Sequence, residues 1–498
     1  MKKILINNNP WQTRIAIVKD GVLQNIYFSA HAVTTLERAF FKGLITKVLP
    51  GIQTAFVDIG QERAGFLHIS EIDRELAIEK ISKQVELGEN ERPVARQQID
   101  ISKILREGDP ILVQVSKEPV YEKGAKLSTC FTLPGRFAVL MPNIPRIGVS
   151  KKIEDREERN RLKDIVKNNL PEGMGAIIRT TSESRSEAEI SKDLHFLVET
   201  WNEIQNSFNA AQVKEKLYED LDLSLQIVRD HLDDDVEMVV TDTKNDQNIL
   251  YRFVKNIAPE FAYKIKLYDG ATPIFEHFGV EKQIEQVLDK KVHLRSGGSL
   301  IIESTEAMTV IDVNTGKFIG KANMEDTIFK TNIEAADEVA RQLRLRNIGG
   351  LIVIDFIDMA TGANRSRLFK HFEKVLKEED KFQSVVLKVS EFGLVQMTRK
   401  RSGKTLVQQL TNDCPTCRGS GFIKSLQTEC YAILRKLKEF LLTEHPGQID
   451  LIISSQMFEY ITNIEYNAVL YLEKNFGCKI ELSEDQFYAM SEYLFQKK

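Results

Sequence analysis

Two aspartates embedded in apolar runs are the residues of this chain best placed to do chemistry. Asp312 sits in Met308-Thr-Val-Ile-Asp-Val-Asn314, and Asp355 in Leu351-Ile-Val-Ile-Asp-Phe-Ile-Asp358. Each run reads as a buried strand, in which successive side chains alternate faces, so Asp312 and Asn314 point to the same side. Two carboxylates and an amide oxygen are the hard donors that suit magnesium, which keeps several of its waters. An ion held there could polarise a phosphodiester and acidify an attacking water. The same acids also read as helix caps or strand-end hydrogen-bond acceptors. Asp358, past the strand, reads as a turn or N-cap residue.

A second group is sulfur. Asp413-Cys-Pro-Thr-Cys-Arg-Gly-Ser-Gly421 spaces two thiols as a zinc half-site, with glycines to wrap the backbone. Structural zinc takes four ligands, yet the chain has no second CxxC and no histidine between residues 372 and 444. Cys430 and Cys478 are isolated and read as core thiols. A redox pair is the alternative, although a CxxC opening a helix after a strand, the thioredoxin-like context, is not evident. Otherwise two chains each donate Cys414 and Cys417 to one shared ion, which makes at least a dimer. A third group is aromatic: Phe56 and Phe66 lie on runs flanking Gly60-Gln-Glu-Arg63. They either stack on bases of a single strand or fill a small barrel.

These residues need elements to position them. Between the two aspartates, Ile328, Ala335, Ala336, Val339 and Leu343 recur at helical spacing over about 324–346, and Gly349-Gly350 ends the helix. Strand–helix–strand of this length predicts a right-handed crossover between parallel strands, with ligands beyond their carboxyl ends, where both acids fall. Upstream, residues 3–7, 13–18 and 22–28 read as strands. From about 38 to 130 the texture is of short, glycine-broken strands like those of an OB-type barrel, with a polar, charge-rich insertion at 71–103. Residues 131–220 mix strands with charged helices, 221–290 hold a strand and a helix, and the tail after Cys417 reads as a small α/β or α+β unit. No repeat or low-complexity linker separates these parts, so the domains are expected to pack together.

A length of 498 residues suggests roughly three domains. The composition, 42% hydrophobic and 28% charged, is that of a soluble globular protein. No run approaches the ~18–20 apolar residues of a membrane span, and the N-terminus turns polar too early for a signal peptide. Five cysteines do not make a disulfide framework, so a cytoplasmic setting is expected. The net charge of −4 leaves no overall footprint for nucleic acid. Local basic clusters do occur, at Arg341, Arg344 and Arg346 and at Arg399, Lys400, Arg401 and Lys404.

Ile311-Asp-Val-Asn314, the run Asn332-Ile-Glu-Ala-Ala-Asp-Glu-Val-Ala-Arg-Gln-Leu-Arg-Leu-Arg346 and Gly349-Gly-Leu-Ile-Val-Ile-Asp-Phe-Ile-Asp-Met359 resemble the catalytic segment of the bacterial ribonuclease E/G family. The resemblance extends along nearly the whole chain, at a length like that of the shorter members. It implies an α/β multidomain fold: a ribonuclease-H-like platform (1–37 and 220–288), an OB-fold RNA-binding barrel (38–130) and a 5′-phosphate-sensing domain (131–219). A deoxyribonuclease-I-like catalytic α/β unit (289–408), a zinc link (409–424) and a small C-terminal domain (425–498) would follow. It implies that Asp312 and Asp355 hold Mg2+ with Asn314 in support, and that Cys414 and Cys417 share Zn2+ across a homodimer, which could pair into a homotetramer. It also implies RNA contacts from Phe56, Phe66 and Lys123, and a 5′-monophosphate pocket at Gly135, Val139, Arg179 and Thr180. One departure stands out. The family often carries a second arginine where this chain reads Asp380-Lys-Phe-Gln383, with Lys381 as the nearest substitute. The implied activity is magnesium-dependent endonucleolytic cleavage of single-stranded RNA in rRNA maturation and mRNA decay, leaving 5′-phosphates. The competing expectation is a non-catalytic, ribosome-associated RNA-binding factor.

Overall fold

The computed structural model describes residues 1–31, 36–73, 100–119, 124–316, 324–390, 392–400 and 403–497. They form two compact units, Met1–Val407 and Gln408–Lys498.

The first unit begins with a five-stranded sheet in the order Ile265–Leu267, Val236–Thr241, Lys2–Asn9, Gln12–Lys19, Val22–Ala30. Lys2–Asn9 runs antiparallel to Gln12–Lys19 and parallel to Val236–Thr241, so segments more than two hundred residues apart share one sheet. Their alternating apolar residues, among them Ile4, Ile6, Ile15, Ile17 and Val239, pack against Val228 and Val254.

Between these segments the chain builds a closed five-stranded barrel, where the sequence led us to expect a single-strand-binding one. Its strands follow the order Phe40–Leu49, Thr54–Asp58, Gly65–His68, Lys126–Ser128, Pro110–Lys117, and the last pairs back with the first. Ala55, Val57, Leu67, Val113, Val115 and Leu127 fill the interior. Closure removes every free edge, which is how so small a sheet satisfies its backbone groups. Most of the charge-rich insertion expected at 71–103 lies outside the described residues, and so does Lys123. A four-stranded sheet follows (Ile147–Val149, Gly175–Ile178, Ala138–Met141, Leu133–Pro134), with helices Arg156–Asn169 and Glu187–Ala210 supplying much of its core.

The expected strand–helix–strand unit lies in a six-stranded sheet ordered Lys291–His293, Ser299–Ser304, Met308–Asn314, Gly350–Asp355, Leu394–Arg399, Ser384–Val386. Within it only Met308–Asn314 and Gly350–Asp355 pair in parallel, joined through the helix Met324–Leu345. Ile311, Val313, Ile352 and Ile354 turn into a core with Ala335, Ala336, Val339 and Leu343 of that helix. The alternate residues Val310, Asp312, Asn314, Leu351 and Asp355 stay exposed, so the helix covers one face and the acids stand on the other.

The second unit holds a three-stranded sheet, Lys479–Asp485, Gln448–Ser454, Tyr493–Lys497, with helices Leu426–Glu444, Ser455–Tyr460 and Tyr466–Phe476. Cys430 and Cys478 are buried in its core.

Four arginines of the basic clusters are engaged within the fold, while Lys400 and Lys404 are exposed and Arg401 lies outside the described residues. The Arg341 guanidinium binds Glu338 and the Leu23 carbonyl at 2.7 Å. Arg344 donates to Gln24 at 2.9 Å and to the Glu379 carbonyl at 2.8 Å. Arg346 is buried against Gln342 and the Asp289 carbonyl, and Arg399 is buried in a two-bond pair with Asp380. These guanidinium forks fasten the six-stranded sheet and its helices to neighbouring strands and loops.

Candidate active site

Asp312 and Asp355 are register partners at the carboxyl ends of the two parallel strands. The Asn314 amide donates to Asp312 Oδ2 at 2.8 Å, which fixes that carboxylate. Partial loss of solvent around the otherwise exposed Asp355 carboxyl, and then the negative charges of Asp312 and Asp358, hold it above the usual carboxylate range. Three acids crowding one strand end is an arrangement that a cation would relieve. Among the described residues no group of three or more His, Cys, Asp or Glu side chains forms a metal cage. Two carboxylates with an amide beside them therefore fit an ion that keeps most of its water, as magnesium does.

Two residues to which the sequence reading gave no role hold this site in place. Asn332, fully buried on the helix face between Ile328 and Ala335, donates to the Ile357 carbonyl at 2.8 Å and accepts from the Ile357 amide at 3.1 Å. It locks the segment leaving Asp355. Glu325, in the first turn of the same helix, accepts from the amides of Ala360 and Thr361, the Thr361 hydroxyl and the Asn364 amide. The available signal was a polar side chain, Asn332, on an otherwise apolar helix face.

On the barrel, Phe56 and Phe66 face each other across adjacent strands and are half-buried, while Ala55, Val57 and Leu67 point inward. The two rings therefore lie on the outer surface rather than filling the barrel. Lys47 pairs with Phe56 on one side and Lys126 with Phe66 on the other, so a lysine flanks each ring. Lys126 is ion-paired with Glu71.

The residues expected around a 5′-phosphate gather at one end of an antiparallel pair, Ala138–Met141 with Gly175–Ile178: Val139 is on it, Gly135 precedes it, Arg179 and Thr180 follow it, and the Arg179 amide bonds the Phe137 carbonyl at 2.8 Å. Each already has partners. The Gly135 amide donates to the Ala138 carbonyl at 2.8 Å. A Cβ at Gly135 would come within 2.5 Å of Asp193, whose carboxylate accepts from the amides of Arg136, Phe137 and Ala138. Glycine stands there because Asp193 fills the nest. Val139 is half-buried, and the exposed Thr180 shares a 3.1 Å hydrogen bond with Ser150. Arg179 pairs with Asp230 at 2.6 Å. Burial opposes ionisation of Asp230, but Arg179, Arg229 and Lys381 outweigh it and hold its carboxyl well below the usual range. Lys381 is exposed along its stem, while its ammonium reaches His231 Nε2 at 2.9 Å. Enclosure of that ammonium brings its pKa down to about 8, with Asp230 opposing the shift and Arg179 adding to it.

Cys414 and Cys417 lie in a turn ahead of the helix Leu426–Glu444, Cys414 exposed and Cys417 half-buried. The Arg418 amide donates to the Cys414 carbonyl at 2.7 Å and the Ser420 amide to the Cys417 carbonyl at 2.9 Å. Gly419 and Gly421 adopt φ of 87° and 77°, where a side chain would strain the wrap. Hydrogen bonds from the Cys417 and Thr416 backbone draw the Cys414 thiol below its ordinary range.

The family model described as "Ribonuclease E/G family" matches residues 132–402. A second, "RNase E/G, Thioredoxin-like domain", matches 413–498. The chain thus belongs to the ribonuclease E/G family. It is similar to "Ribonuclease G" of Haemophilus influenzae, 40% identical over 99% of this chain and 98% of that protein. "Ribonuclease G" of Escherichia coli strain K12 is 38% identical with the same coverage. "Ribonuclease E" of Haemophilus influenzae is 34% identical over 98% of this chain but 51% of its own length. The thioredoxin-like description applies to the C-terminal unit as a whole. Its CxxC lies in a turn rather than opening a helix after a strand, so the cysteines do not occupy the redox position of that fold.

Proposed function

We propose that this protein is an endoribonuclease that cuts single-stranded RNA at Asp312 and Asp355. The observation that carries the reading is the register pairing of these two aspartates at parallel strand ends, with Asn314 bonded to one of them. The two carboxylates would hold Mg2+, which when bound supplies charge to polarise a phosphodiester and to acidify a water. The chain's own residues do the rest. Asn314 orients Asp312, and Asn332 and Glu325 fix the segment that follows Asp355. Phe56 and Phe66 offer two adjacent rings on which successive bases stack, with lysines at either side for the backbone. Products carry 5′-phosphates.

Arg179 and Thr180 make up the 5′-monophosphate site in this reading, beside Gly135 and Val139, with Lys381 as its second cation. The Arg179–Asp230 pair means that an incoming phosphate competes with a carboxylate for the guanidinium, so the preference for a 5′-monophosphate is real but reduced. Cys414 and Cys417, exposed and half-buried at a glycine-wrapped turn, give half of a tetrahedral thiolate set, and a second chain completes it around Zn2+ as a homodimer. The cellular roles that fit are rRNA maturation and mRNA decay. Incubation with a 5′-monophosphorylated, A/U-rich single strand, with and without magnesium, tests the reading. Cleavage only with magnesium is expected, and an intact strand under both conditions overturns it.

A further inference from the structure

Beside the carboxylate pair lies an open cleft of about 630 Å³, within the ~300–1,000 Å³ of small-ligand sites. The first turns of the helix Met324–Leu345 contribute Met324 and Ile328, the segment after Asp355 contributes Asp358 and Met359, and the turn ahead of Leu394 contributes Phe392. Phe392 is 80% exposed and Met324 72% exposed. Large apolar side chains held together in water at one sheet end mark a binding surface. The turn carrying Phe392 lies flush on the segment that leaves Asp355. Gly393 has φ 76°, and a Cβ there would meet the Phe356 carbonyl at 2.7 Å and Asp358 Oδ1 at 3.2 Å. The next residue, Leu394, is the register partner of Asp355.

We propose that this cleft takes the nucleobase of a nucleotide adjoining the cut phosphodiester, stacked on Phe392 with its amino or imino hydrogen toward Asp358. The assignment rests on the RNA-cleavage reading above and adds a base-binding subsite to it. The chemistry selects a base over a phosphate. The walls are apolar and polarizable, with two thioethers that favour ring edges, and the acids on the rim, Glu325 and Asp358, repel an anion. Glu325 already accepts four hydrogen bonds, which leaves Asp358 as the rim carboxylate for a base hydrogen. A nucleotide is the ligand whose anionic and flat parts suit the two neighbouring sites, phosphate at the carboxylate pair and base in the cleft.

The test is a short A/U-rich RNA with 2-aminopurine at each position in turn, titrated in metal-free buffer, where stacking quenches its fluorescence. In the unmodified chain quenching is expected at the positions stacked on Phe56 and Phe66 and at one further position, and the quenching at that further position marks the cleft. Phe392→Trp should keep it, and Phe392→Ala should abolish it and weaken binding about 5- to 150-fold, the range for one stacked base. Because the ring is exposed, circular dichroism of Phe392→Ala should match the parent. Equal quenching in Phe392→Ala and parent at every position overturns the subsite, as does binding without quenching. The two readings separate in a parallel incubation with magnesium. Quenching that depends on Phe392 without cleavage overturns the nuclease and keeps the base cleft, whereas cleavage with quenching indifferent to Phe392 overturns the cleft alone. Failure to bind RNA overturns both.

Discussion

Asn332→Ala is the perturbation whose consequence can be worked furthest. The side chain is fully buried, and its two hydrogen bonds, 2.8 Å and 3.1 Å, satisfy both backbone groups of Ile357. Alanine removes both partners at once. A buried polar group left unpaired costs about 1–3 kcal/mol. Ile357 is only half-buried, so water recovers part of the loss, and ~2–4 kcal/mol of local stability is expected to go. The first unit contains several cores, so a single global unfolding free energy is not the right readout. Native-state hydrogen exchange at the Ile357 amide is, and ~2–4 kcal/mol predicts roughly 30- to 700-fold faster exchange there. Asp355 lies two residues ahead. Displacing a reacting group by about 1 Å costs on the order of 100-fold, so turnover should fall roughly 10- to 100-fold. Exchange within about threefold of the parent, together with unchanged turnover, would refute the claim that Asn332 positions this site.

Asp312→Asn or Asp355→Asn should abolish cleavage with RNA binding kept within a few-fold, measured by gel assay and filter binding; near-normal turnover in either variant counts against the metal assignment. Cys414→Ser combined with Cys417→Ser should remove about half a zinc per chain and leave monomers in sedimentation; one zinc per chain in the parent protein contradicts a shared ion. Arg179→Ala should erase faster cutting of 5′-monophosphorylated over 5′-hydroxyl RNA and spare basal cleavage, and equal rates on both ends in the unmodified chain would remove the pocket. Lys381 is cationic below its pKa of about 8 and neutral above it. The end preference should therefore decline as pH rises through that value, and Lys381→Met should flatten the decline. The sign is opposite for stability: an unfolded lysine binds the proton more tightly, so this group's contribution to stability rises between about pH 8 and its ordinary pKa.

How much could be read without coordinates follows from what local patterns encode. The alternation in Met308–Asn314 placed Asp312 and Asn314 on one face, and the helical spacing between the two apolar strands dictated a parallel crossover. Both are consequences of chain geometry over a few residues, and both needed only the sequence. The same holds for Cys430 and Cys478 as core thiols in the C-terminal unit. Phe56 and Phe66 were ambiguous because period-two alternation assigns two faces without saying which one is the interior. Only closure of the barrel, with Ala55, Val57 and Leu67 inside, turned the rings outward. Charge was read least well. Arg341 and Arg399 looked like surface cations because the sequence near them does not reveal that Leu23 and Asp380 lie within bonding distance. Arg179 meets Asp230 in the same way, across 51 residues, and Asp193 comes up to Gly135 from the helix Glu187–Ala210. Periodicity is a property of the local backbone and survives in one dimension. Electrostatic partnership depends on which segments pack together, and only the tertiary structure decides it.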